Sequence, residues 1–121
     1  MSESPKNVLT ERLVDYAVRT IQLVNALPDT AVARHIAGEL LECGTSAGVR
    51  YEEACGAASK ADFTHKLGDV LQELKASRFW LRIISRAQIL PAARIEPLLQ
   101  EGDALCAMVA KSIITAKTRK S

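Results

Sequence analysis

Aromatic side chains are nearly missing from this chain: one Trp, two Tyr and two Phe among 121 residues. Glycine and proline are scarce as well, at six and four. A β-sandwich or barrel draws on Tyr, Phe, Thr and frequent turn glycines, so these shortages argue against one. No apolar run approaches the ~18 residues that a membrane span requires. The stretch from Met1 to Asn7 is polar and carries Pro5, so no secretory signal is expected there. Cys43, Cys55 and Cys106 are odd in number and form no CxxC pair, which points to a reduced, cytoplasmic protein rather than a disulfide framework. The net charge of +2 is too small to make the whole molecule a polyanion binder. Affinity for nucleic acid would need a local gathering of Lys and Arg.

What the chain does have is aliphatic bulk. Apolar residues make up 48% of it, mostly Ala, Leu, Ile and Val, and its length suits a single core. That composition favours helices meeting along aliphatic seams.

Residues 1–7 read as a flexible leader. From Val8, apolar residues Leu9, Leu13, Ala17, Thr20, Val24 and Leu27 recur at helical spacing. Val14, Val18 and Ile21 are expected to widen that buried stripe. The first helix thus spans about 8–27 and stops at Pro28, with Asp29 or Thr30 capping the next. The second, about 30–55, places Ile36, Leu40, Cys43, Ala47 and Tyr51 on one face. Beside them run Ala37, Leu41, Gly44 and Gly48. Two glycines on one helical line, each costing about 1 kcal/mol relative to Ala, imply close approach of a neighbouring backbone. Gly56 is expected as the left-handed residue ending this helix.

Ser59-Lys-Ala-Asp62 resembles a capping box and opens the third helix, about 59–89. Phe63, Leu67, Val70, Leu74, Ser77, Leu81 and Ile84 alternate spacings of four and three, the period of bundle packing. A fourth helix, about 94–116, starts between Pro91 and Pro97 and carries a Leu98, Gly102, Leu105, Val109, Ile113 seam. Residues 117–121 read as a basic tail. Four helices with short connections predict an all-α, up-down-up-down four-helix bundle in a single domain.

On a helical wheel at about 100° per residue, the third helix has a second apolar side. Phe79, Ile83 and Leu90 point away from its seam, with Trp80 at the boundary. A contiguous patch of that kind predicts an oligomer interface. Between the two sides run Lys75, Arg78, Arg82 and Arg86. This stripe is either a solvated face, ion-paired with Glu39, Glu42, Glu52 or Glu53, or a phosphate-contacting track. The solvated face is the plainer reading.

Catalytic signatures are lacking. Asp62 and His65 sit one turn apart, but a bundle di-metal site needs a second such pair, and His35 has Val32 in the matching position. Glu52 and Glu53 are adjacent and diverge on a helix. No phosphate loop, nucleophile elbow or metalloprotease signature occurs. The expectation is no enzyme and no cofactor.

The segment Thr45-Ser-Ala-Gly-Val-Arg-Tyr-Glu-Glu-Ala54, with Ser59, Asp62-Phe63, Lys66-Leu67, Glu73-Leu74 and Phe79-Trp80-Leu81, resembles the bacterial four-helix bundle proteins encoded within ribosomal RNA intervening sequences. The accessory variability proteins of diversity-generating retroelements share that fold. Arg50 stands where the family commonly carries Asn. The resemblance implies a cytoplasmic bacterial protein forming a homopentameric barrel, with RNA or DNA and a reverse transcriptase as partners of some relatives. The combined expectation is a self-associating scaffold or adaptor. Its alternative is a nucleic-acid-binding accessory protein.

Overall fold

In the computed structural model, which describes residues 5–119, the chain folds into α1 (Pro5–Asn25), α2 (Ala31–Cys55), α3 (Lys60–Arg86) and α4 (Ala92–Thr118). Each helix packs antiparallel on the next. α2 lies along α1 and α3, α3 along α4, and α1 closes the ring against α4 over a shorter seam. Seam residues read from the sequence converge in one core: Leu13, Leu40, Leu67, Leu74, Leu81, Ile84 and Leu105 are essentially inaccessible, and Tyr16 and Ile95, which the sequence pattern did not single out, join them. Among the described residues no helix is long and apolar enough to cross a membrane.

The helix starts follow their caps. Thr30 Oγ1 accepts the Ala33 N–H at 3.1 Å, and Ser59 Oγ accepts the Asp62 N–H at 3.0 Å. Asp62 in turn accepts from the Ala58 N–H at 3.3 Å, so the box reaches one residue further back than the usual pattern.

The helix ends depart from expectation in instructive ways. α1 begins at Pro5, so residues 5–7 are helical; residues 1–4 of the expected leader lie outside the described region. It stops at Asn25 rather than Leu27, because the Ala26 and Leu27 N–H groups bond three residues back, to Leu23 and Val24. That tightening precedes Pro28, whose ring disfavours α geometry just before it. Gly56 is not left-handed: its φ is −94°, and an added Cβ would meet only the Glu53 carbonyl, at 3.8 Å. The left-handed residue is Gln88, at φ 58°. The Gln88 N–H bonds Ser85 O at 3.1 Å and the Ile89 N–H bonds Ile84 O at 3.0 Å, a Schellman pair that ends α3 at Arg86. α4 starts at Ala92 and carries Pro97 inside it. The backbone bond that Pro97 cannot make falls on the exposed side, where water reaches the Ala93 carbonyl. α4 continues to Thr118, so the first two residues of the expected tail are helical; residues 120 and 121 lie outside the described region.

The paired glycines of α2 meet α1 as their spacing implied. A Cβ on Gly48 would rest 3.5 Å from Leu13 Cβ, and one on Gly44 would come within 2.7 Å of Thr20 Cγ2. α1 reaches across the core through one side chain. Tyr16 Oη lies 2.7 Å from Ser77 Oγ on α3. Ser77 gives its own proton to Leu74 O, at 2.7 Å, so Tyr16 donates. Thr20 returns its hydroxyl to Tyr16 O at 2.8 Å. Every polar atom in this central line therefore has a partner.

Candidate functional site

Three surface features bear on function. The first is the outer side of α1. Val14, Val18 and Ile21 do not join the core, contrary to the sequence expectation; they are 51%, 45% and 43% exposed. The reason is geometric. Leu9, Leu13, Tyr16, Thr20 and Leu23 already fill the inward stripe, and residues at 14, 18 and 21 fall on the far side of the same helix. Leu41 on α2 is also exposed, at 38%. Three large aliphatic side chains thus share the outer face of α1. The signal for this side lies in the sequence: Val14, Val18 and Ile21 recur at spacings of four and three, as a second stripe on the same helix.

The second feature is the outward side of α3, where the expected interface residues separate. Phe79 stands in solvent at 58% exposure. Ile83 and Leu90 are half-buried and pack against the core, as does Trp80. The Trp80 ring sits edge-on to His35 of α2 and to Phe79, each at 5.8 Å between centroids. The patch is therefore narrower than the wheel suggests, because Trp80, Ile83 and Leu90 pack against the bundle's own core.

The basic stripe divides in the same way. Arg78 turns toward α4: its Nε lies 2.6 Å from Asp103 Oδ1, and its guanidinium contacts Cys106 Sγ at 3.7 Å. Burial works against the Arg78 charge, but Cys106 and Asp103 outweigh it and raise its pKa. Lys75, Arg82 and Arg86 are exposed, and none forms an ion pair among the described residues. Glu53 pairs instead with Arg50, at 3.2 Å. Arg50 is exposed, so the position where the resemblance places Asn takes no buried part here. On the wheel Phe79 falls at one edge of the Lys75, Arg82 and Arg86 stripe, about 20° beyond Arg86, so an exposed aromatic ring borders the three cations.

The third feature is the clamp between α1 and α4. Arg12 grips Glu101 through Nε at 3.0 Å and through its terminal nitrogen at 2.7 Å, a two-pronged pair that raises the arginine pKa chiefly by hydrogen bonding. It braces the short seam.

Candidate chemical groups stay apart. Among the described residues no three His, Cys, Asp or Glu side chains gather in a metal-binding arrangement. Asp62 is occupied by its cap and by Lys66 at 3.3 Å, and His65 is exposed. Cys43 and Cys106 are buried, Cys55 half-buried, and all three are free thiols. Desolvation raises the Cys43 thiol to about 11 and holds it protonated.

No family model matches the chain, and no curated protein matches it. Among solved structures, the chain is similar to a protein of unknown function from the S23 ribosomal protein family of Bacteroides thetaiotaomicron. The two are 26% identical, the match covers 91% of this chain and 98% of that one, and the TM-score is 0.85. The likeness agrees with an all-α fold of four helices over nearly the full length of both chains.

Proposed function

We propose that this chain is a non-enzymatic scaffold or adaptor that self-associates, as a homopentamer of the intervening-sequence type it resembles, in the bacterial cytoplasm. The supporting observation is the outer face of α1: Val14, Val18 and Ile21 are large aliphatic side chains that the monomer leaves in water. The likeness to the S23-family structure supports membership in that group of bundles. Light scattering on the parent protein is expected to give about five times the 13.1 kDa of one chain. Changing Val18 and Ile21 together to Glu brings it to a single chain's mass, with helicity unchanged because both positions face solvent. A parent protein that is monomeric at tens of micromolar defeats the assembly reading. Dissociation by Phe79→Ser rather than by the α1 pair moves the interface to α3.

A second reading has its own observation in its favour. Lys75, Arg82 and Arg86 are exposed and unpaired among the described residues, and the exposed Phe79 borders them on the same helix. A cation stripe edged by an exposed ring suits a single-stranded nucleic acid, with phosphates held by charge and a base stacked on the ring. Binding of a short RNA oligonucleotide should weaken steeply with added salt. Arg82→Glu with Arg86→Glu should abolish it, and Phe79→Ala should lower it by about 1–3 kcal/mol. RNA binding that ignores all three positions removes this reading.

A further inference from the structure

We propose that the end of the bundle near the α4 C-terminus holds a single-chain amphiphile with an anionic head, such as a fatty acid carboxylate. A hollow of about 590 Å³ opens there among the end turns of all four helices, inside the roughly 300–1,000 Å³ typical of ligand pockets. Leu9, Tyr51, Phe63 and Met108 line it, and among the described residues Lys111 and Arg119 are its only charged lining residues. A second hollow of about 340 Å³ adjoins it, sharing Phe63, Ala116 and Arg119, and adds Lys60 as its other charged group.

The charge distribution selects the occupant. Among the described residues neither hollow has a carboxylate in its lining. Lys111 and Arg119 form no ion pair among the described residues, and Lys60 is engaged with the Arg119 carbonyl rather than with an acid. The lining of the larger hollow is mostly apolar. Tyr51 is buried, and desolvation, with help from Cys55, raises its pKa and keeps its hydroxyl neutral. An apolar hollow rimmed by unopposed cations complements an acyl chain lying on Phe63 and Met108 with its carboxylate at Lys111 and Arg119. A neutral chain would leave the cations unused, and an inorganic anion would leave the hollow unfilled.

The test uses Met108 as the reporter, since it lines the hollow and the chain has only two methionines. Protein labelled with ¹³C at the methionine methyls is titrated with dodecanoate below its micelle limit, and separately with dodecanol. The Met108 resonance is expected to move saturably with dodecanoate. Binding should weaken roughly tenfold for dodecanol and for the exposed double change Lys111→Glu with Arg119→Glu, as expected where two surface charges each contribute modestly. A Met108 resonance that does not respond overturns the proposal. So does equal affinity for dodecanol, or for the double variant, since the cations then select nothing. A shift that follows protein concentration without added ligand assigns the hollow to a second copy of the chain and also overturns it.

Discussion

Valine at Gly44 will destabilise the bundle by about 2–3 kcal/mol, the cost of overpacking a close-fitted seam. The Gly44 Cα faces Thr20 so closely that even a methyl would lie 2.7 Å from Thr20 Cγ2, 2.8 Å from Oγ1 and 3.1 Å from Cβ. Rotating the threonine offers no escape, because its hydroxyl is committed to Tyr16 O and its Cβ is itself crowded. The seam must open instead. Valine regains a few tenths of a kcal/mol of helix propensity over glycine, which offsets little. The cost should shrink when Thr20 is also changed to Ala, and urea melts of the four proteins in that double-mutant cycle measure the coupling. A Gly44→Val protein as stable as its parent would show that α1 and α2 do not meet this closely. Gly38 and Gly68 provide the internal control: a Cβ at either meets nothing within 4 Å, so alanine there should stabilise by up to about 1 kcal/mol.

Truncating Tyr16 to Ala will cost about 3–5 kcal/mol, the range for removing a large buried ring. Tyr16 is fully buried and is the only side chain of α1 hydrogen-bonded to α3 among the described residues. Tyr16→Phe isolates the hydroxyl and should cost about 1 kcal/mol, since Ser77 keeps its own bond to Leu74 O and loses only a donor. The phenol also sets an alkaline limit. Burial raises its pKa to about 12, against the opposing hydrogen bond to Ser77, while in the unfolded chain it stays near 10.0. Below pH 10 the group is protonated in both states and its contribution is whole. Between about 10 and 12 the unfolded chain releases its proton first, so stability falls as pH rises, by about 2–3 kcal/mol across the window. Cys43 adds a loss of the same sign that begins lower, because its thiol is raised from 9.0 to about 11. Stability measured from pH 8 upward should therefore fall less steeply in Tyr16→Phe than in the parent. Equal slopes would refute the assignment to Tyr16.

The core was legible because the inward residues recur at threes and fours without interruption from Phe63 to Ile84, and because Thr30 and Ser59 are chemically suited to start helices. Gly44 and Gly48 announced a close approach before any neighbour was known. The ends were less legible. Gln88 occupies a left-handed position normally held by Gly, so nothing but Pro91 three residues later marked where α3 stops. Gly56 carried the expected signal and did not use it. The surface was the hardest to read. An apolar residue on a helix carries no mark of which side it faces when two stripes compete, and Val14, Val18 and Ile21 were counted inward for that reason. Arg78 looks like its neighbours Lys75 and Arg82 in sequence; only the position of Asp103 on another helix separates it from them.

The short seam between α1 and α4 also sets an order of release. α1 is held along one flank by α2, but on the other by a thin contact in which the Arg12–Glu101 clamp is the main polar tie. α2 and α3 each have long interfaces on both flanks, and α4 packs along α3 more extensively than α1 does along α2. Subglobal opening follows the weakest boundary, so α1 is the unit that detaches while the remaining three stay packed. The helix carrying the exposed aliphatic face is thus also the one least tied to its own bundle, and an identical helix from a neighbouring chain could replace it at little cost.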